Sequence, residues 1–184
     1  HDVRILYACA SGSRAWGYAS RASDFAVRFI YRHPAPWYLS IDERRDVIEV
    51  QTTAHALDMS GWELRKALRL LRKSNPALLE WLNSPVVYEE DELFAAEFRR
   101  LAGSFHSARR CFCHYRSMAW GNFRGYLQSG QVRAKKYLYV IRPVLACRWI
   151  ERGLGQVPMY FSELLDAVRE ESEVHAQGIQ LIDA

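Results

Sequence analysis

VRILYACASGSRAWGYASRASDFAVRFIY, residues 3–31, is two apolar runs separated by a loop of small residues. VRILYAC (3–9) and FAVRFIY (25–31) are rich in β-branched and aromatic side chains and predict strands, while SGSRAWGYASRASD (11–24) is dense in Gly, Ser and Ala and predicts a loop. Further along, the Pro-bounded PAPWYL (34–39), DVIEV (46–50) and HALDM (55–59) read as short strands. The period then changes. Leu64, Ala67, Leu68 and Leu71 recur at helical spacing among Arg65, Lys66, Arg69, Arg72 and Lys73, and Ser60 with Glu63 predicts a capping box at the helix start. Asn75-Pro76 restarts the helix as ALLEWL, and Glu89 to Glu92 reads as a solvated loop and helix start. Amphipathic helices are predicted at 92–102, 106–128, 131–151 and 160–176. The expected fold is therefore α+β: a small mixed sheet with helices over 1–88, then a helical C-terminal region over 89–184 packed on it.

The 184 residues are 49% hydrophobic and 25% charged, which suits a globular chain with a real core and excludes a disordered, collagenous or low-complexity one. No apolar run approaches the roughly 18 residues of a membrane span, and HDVRILYACASG lacks a signal-peptide core, so a cytoplasmic protein with no membrane partner is expected. His1 running straight into a strand-like segment predicts a further segment upstream. Cys9, Cys111, Cys113 and Cys147 form neither a C-x-x-C pair nor a zinc-finger spacing, and they read as ordinary reduced thiols. Charge is unevenly spread. Between Phe105 and Arg152 ten basic residues face one acidic residue, Glu151, whereas from Glu163 onward the balance is acidic.

The loop after the first strand carries Gly12-Ser13, and Ser23-Asp24 opens the next strand. Glycine lets a backbone approach a phosphate closely, the serine hydroxyl and nearby N–H groups bind phosphate oxygens, and an acidic residue on the adjacent strand can hold Mg²⁺. By composition alone the same residues also fit a plain turn. The wider string SGSRAWGYASRASDFAVRFIY, PWYLSI, DVIE, LDMSGWELRKALRLLRKSNPALLEWLNSPVVY, HYRSMAWGNFRGYL and KKYLYVIRPVLACRWIE, in that order, resembles the YcgL/RlaP-type predicted nucleotidyltransferases. These are a branch of the DNA polymerase beta superfamily with members associated with RNA repair.

The resemblance implies a polymerase-beta-like mixed sheet followed by helices. It also implies a motif of Gly-Ser, a spacer, Asp-x-Asp and a third carboxylate on a later strand. On that motif Gly12 and Ser13 match the phosphate-binding pair, Asp24 the first metal ligand and Asp58 the third carboxylate, with Mg²⁺ or Mn²⁺ as the implied metal. The chain departs from the pattern twice. Ala26 stands where the second Asp belongs, and Ala10 stands where the family usually shows an acidic residue before S-G-S. A methyl group cannot ligate a metal, so the resemblance implies a site disabled by substitution or a natural non-catalytic member.

Lys135 and Arg142, seven apart, share a helical face, and with Lys136 they are expected to meet a triphosphate or an RNA backbone; Arg14 and Arg28 flank the loop as further phosphate contacts. Phe105, Phe112, Tyr115, Trp120, Phe123, Tyr126, Tyr137 and Tyr139 interleave with these charges and are read chiefly as core, with base stacking as the alternative. His55 and His114 are read as structural, and Trp62 and Trp81 as core. The leading expectation is transfer of an NMP from an NTP, ATP foremost, to a hydroxyl of RNA or protein. A silent nucleotide- or RNA-binding module is the second, and self-association through faces of opposite charge is the third.

Overall fold

The computed structural model describes residues 2–20, 23–52, 56–128 and 132–183. The chain divides into two compact units, His1–His106 and Ser107–Ala184. In the first, β1 (Arg4–Ser11), β2 (Phe25–Arg32), β3 (Val47–Thr52), β4 (Leu57–Glu63) and β5 (Val87–Glu90) form one sheet in the order β3-β4-β2-β1-β5. β2 and β4 are parallel and the other neighbours antiparallel, so the sheet is mixed. The helices of this unit are α1 (Gly12–Trp16), α2 (Ala35–Tyr38), α3 (Leu64–Arg72), α4 (Pro76–Leu82) and α5 (Glu92–Phe105).

Several local expectations are corrected. The small-residue loop begins with a helical turn, α1, and PAPWYL forms α2 rather than a strand. Proline has no N–H for a strand ladder, and its fixed φ suits a first helical turn. Ser60 does not cap a helix, because β4 continues through Glu63. The buried Glu63 carboxylate is itself the cap of α3, accepting from Arg65 N at 2.7 Å while the Tyr38 hydroxyl donates to it at 2.6 Å. The acidic run at 89–92 is not a loop: it holds the end of edge strand β5, and Asp91 then caps α5 by accepting from Phe94 N. The expected division after residue 88 falls inside β5. Because β5 pairs with β1 and α5 packs on α3, α4 and β1, both remain with the sheet.

Register separates the two faces of the sheet, since paired residues project to the same side and neighbours along a strand alternate. Ala8, Phe29 and Tyr31 lie on one face and make a core cluster with Val3, Ile5, Ile48 and Met59. Gly61 is needed there, because the Phe29 ring lies 2.1 Å from where a Cβ would stand. On the other face, Tyr7 pairs with Ile30, and Ile30 with Trp62. Trp62 stacks on Trp81 of α4 at 3.8 Å, and the Tyr7 hydroxyl donates to the Trp81 carbonyl at 2.7 Å. Helix α4 thus covers one end of this face, and the ends of β1, β2 and β4 that carry Ser11, Ala26 and Asp58 form the other.

The second unit comprises α6 (Ala108–Tyr126), α7 (Ala134–Glu151), α8 (Phe161–Asp166) and α9 (Ser172–Asp183). Helices α6 and α7 pack together, with Asn122 Nδ2 donating to the Tyr139 carbonyl at 2.8 Å. The single helix expected over 160–176 is interrupted. The Arg152 guanidinium donates to the Ala167 carbonyl, the acceptor that a continuing helix would use, and to the Glu171 carboxylate. No helix among the described residues is long and apolar enough to cross a membrane.

Candidate active site

Gly12 follows β1 at φ +67°, the left-handed region that L side chains avoid, and turns the chain into α1. A Cβ built on Gly12 would lie 3.5 Å from the Ala26 Cβ, so the Gly-Ser turn sits directly against position 26. Ser13 is buried, and its carbonyl accepts from Tyr18 N at 3.1 Å, which closes the turn.

Pairing sets a row across four strands: Gln51 opposite Asp58, Asp58 opposite Ala26, and Ala26 opposite Ser11. All four project to one face, which brings the Asp58 carboxylate, the Ala26 methyl and the Gly12 turn together. Asp24, exposed just before β2 and two residues from Ala26, joins the same edge. Asp24 and Asp58 line one cleft of about 400 Å³ together with Gln51, Thr52, Ala56 and Leu57. The contributions of Gln51 and Thr52 come from the pairing of β3 with β4 and carry no motif.

Arg28, one step along β2 on the same face, is not free for a phosphate. It donates to the Asp58 carboxylate at 2.6 Å, to the Asp58 carbonyl at 3.0 Å and to the Val27 carbonyl at 2.9 Å. Arg14 is also engaged, donating to the Ser23 carbonyl at 2.8 Å with its guanidinium 3.8 Å over the Phe25 ring, and so ties the loop to the start of β2.

Hard divalent cations such as Mg²⁺ or Mn²⁺ take several oxygen ligands. Asp24 and Asp58 offer two carboxylates, but Arg28 holds that of Asp58 and Ala26 offers none. Among the described residues no three His, Cys, Asp or Glu side chains gather as a metal cluster. The residues present therefore do not fit the two-ion site that the motif implies.

The two alanines do not share a site. Ala10 pairs with Val27 and projects to the face opposite Ala26; its N–H donates to the Val86 carbonyl and its carbonyl accepts from Ser84 Oγ at 2.7 Å. Cys9, opposite Arg28, is buried. Burial pushes its thiol up to about 12, with the neighbouring Ser84 and Tyr7 hydroxyls and the Arg28 charge acting the other way. It is no nucleophile near neutral pH.

Lys135, Lys136 and Arg142 all lie on α7 of the second unit. Arg142 is a correction: it is 2% exposed, and its guanidinium donates to the Pro158 and Met159 carbonyls, so it secures that unit's interior and offers no phosphate contact. Lys136 Nζ lies 4.0 Å over the Tyr126 ring, while Lys135 is partly exposed. His114 is exposed, and His55 falls outside the described residues. Of the aromatics read as core, Tyr115 is buried, but Phe105, Trp120, Phe123, Tyr126 and Tyr137 are exposed.

A mixed sheet with a Gly-Ser turn after its first strand and carboxylates at the starts of two parallel strands agrees with the fold that the sequence resemblance implies. The chain belongs to the RNA repair pathway DNA polymerase beta family (RlaP), whose family model matches residues 1–184. It is 47% identical over 183 residues to the uncharacterized protein YcgL of Bacillus subtilis, covering 100% of this chain and 70% of that one. A solved nucleotidyltransferase-like protein from Exiguobacterium sibiricum superposes with a TM-score of 0.36 at 12% identity, over 81% of this chain. The chain spans about half, 52%, of that protein's solved length.

Proposed function

We propose that this chain is an NTP-dependent nucleotidyltransferase scaffold, built to move an NMP from an NTP, ATP foremost, to a hydroxyl of an RNA end or a protein, and impaired by alanine at position 26. The observation that carries this reading is the row Gln51–Asp58–Ala26–Ser11, in which a methyl group stands between the Gly12 turn and the Asp58 carboxylate. In-line transfer to a hydroxyl needs the triphosphate charge neutralised and the nucleophile activated at one point. A carboxylate at 26 would stand at that point with Asp24 and Asp58 on either side. Alanine leaves the Gly12–Ser13 turn for phosphates and removes the group on which the chemistry converges.

A second reading, a non-catalytic nucleotide- or RNA-binding module, is favoured by the Arg28–Asp58 pair, which already engages the third carboxylate of the motif. The two readings separate in one experiment. α-Labelled ATP, GTP, CTP and UTP are incubated with Mg²⁺ or Mn²⁺ and RNA or protein acceptors, and bound label is measured by equilibrium dialysis in parallel. We expect the chain to bind NTP and transfer little. Absence of both binding and transfer, in this chain and in Ala26→Asp alike, would remove the nucleotidyltransferase reading.

A further inference from the structure

Helix α6 presents a surface that the cleft does not use. Trp120 is 59% exposed, Phe123 is 42% exposed, and their rings stack with centroids 5.8 Å apart and planes 22° from parallel. Both rings line a groove of about 650 Å³ with Arg116, Ser117, Ala119, Val140 and Val144, all within the second unit. Arg124 lies 5.9 Å from the centre of the Trp120 ring, and Arg116, one helical turn before Trp120, is exposed on the same side. The sequence of α6 contains Arg109, Arg110, Arg116 and Arg124 and no acidic residue.

Large exposed aromatic rings mark binding surfaces rather than solvated helix faces. The charge of this face selects the partner, because Arg116 and Arg124, on a helix whose sequence holds no acidic residue, complement a polyanion and repel a basic peptide. Planar rings flanked by arginines are the pattern by which single-stranded nucleic acid is held: bases stack on the rings while guanidiniums meet the phosphates. Trp120 and Phe123 already lie within stacking range of each other, so a base adds to the outer face of the pair rather than entering between them.

We infer that the Trp120–Phe123 face of α6, with Arg116 and Arg124, binds single-stranded polynucleotide by stacking one or two bases. This site shares no residue with the Gly12–Asp58 cleft and does not depend on the function proposed for it. The test is fluorescence anisotropy of fluorescein-labelled ten-nucleotide U, A and dT oligomers titrated with the full chain at two salt concentrations. RNA and DNA arms distinguish the source of the strand.

Binding weakened about tenfold by Trp120→Ala, and more by the double variant with Phe123→Ala, is expected from the loss of a stacked base. Arg124→Glu should weaken binding and flatten its salt dependence. Circular dichroism and thermal melting of each variant check the fold, and Trp120→Phe, which retains a ring, should restore most of the affinity. The inference is overturned if the parent does not bind these oligomers. It is equally overturned if the alanine variants bind as tightly as the parent, or if Trp120→Ala abolishes a self-association of the chain and leaves oligomer binding unchanged.

Discussion

Replacing Arg28 with alanine should destabilise the fold and improve divalent-cation binding at the same time. In the structure the Arg28 guanidinium and the Asp58 carboxylate meet at 2.6 Å, with side-chain exposures of 20% and 36%. With charge centres roughly 4 Å apart at an effective dielectric near 20, the gross attraction is about 4 kcal/mol. Solvent around a carboxylate exposed to that degree reduces the net value of the pair to about 1 kcal/mol. The two bonds from Arg28 to the Val27 and Asp58 carbonyls raise the expected loss to about 2 kcal/mol. Urea denaturation would read this loss as a lower midpoint. Arg28→Lys should fall between, since a lysine keeps the charge and loses the forked geometry. The released Asp58 carboxylate then has no competing cation, and Mn²⁺ affinity followed by electron paramagnetic resonance should rise about tenfold, equivalent to about 1.4 kcal/mol. Unchanged Mn²⁺ binding in Arg28→Ala, in a variant shown to be folded, would refute the claim that this pair withholds Asp58.

Two further outcomes follow from the packing. Gly61→Ala would drive a methyl into the Phe29 ring, which is buried and cannot swing away, so a loss of about 3 kcal/mol and a clearly lower melting temperature are expected; Phe29→Leu in the same background should recover part of it. The Cys9 thiol, raised by burial from 9.0 to about 12, contributes stability that is fully present below pH 9 and is lost as pH rises towards 12, by up to about 1.4 kcal/mol per pH unit. Urea midpoints at pH 8 and pH 10.5 should therefore fall further for the parent than for Cys9→Ala, and iodoacetamide at pH 8 should label the exposed Cys113 while sparing Cys9.

The strands around the Gly-Ser loop were legible because alternation and β-branched content are local signals, and so was the α4 start, where Asn75 caps by accepting from Leu78 N and Pro76 follows. The short helices α1 and α2 were not legible, since four or five residues hold too few periodic positions to register against Gly, Ser and Pro. Glu63 was placed in the right neighbourhood with the wrong part, because a capping box and a buried strand-end carboxylate have the same residue spacing. The nearness of Gly12, Asp24, Ala26 and Asp58 to one another was legible through the motif. What surrounds them was not, because sheet order and register are long-range facts. The opposite faces of Ala10 and Ala26, the engagement of Asp58 by Arg28 and the share of Gln51 in the row all depend on which strands pair and how they align. Arg142 shows the same limit on a helix, since spacing put it on a face with Lys135 while packing turned it to the Pro158 and Met159 carbonyls.

The most direct measurement compares label transfer from α-labelled NTP by the parent chain, Ala26→Asp, Ala10→Glu and the double variant, at saturating Mg²⁺ or Mn²⁺ with matched folding controls. Because position 26 projects to the face of Asp58 and the Gly12 turn while position 10 projects to the opposite face, Ala26→Asp alone should restore transfer by at least about 100-fold, the scale on which loss of one transition-state contact is felt. Ala10→Glu should add nothing to it. Transfer that stays absent in a folded, NTP-binding Ala26→Asp chain, or that returns only with Ala10→Glu, would contradict the account.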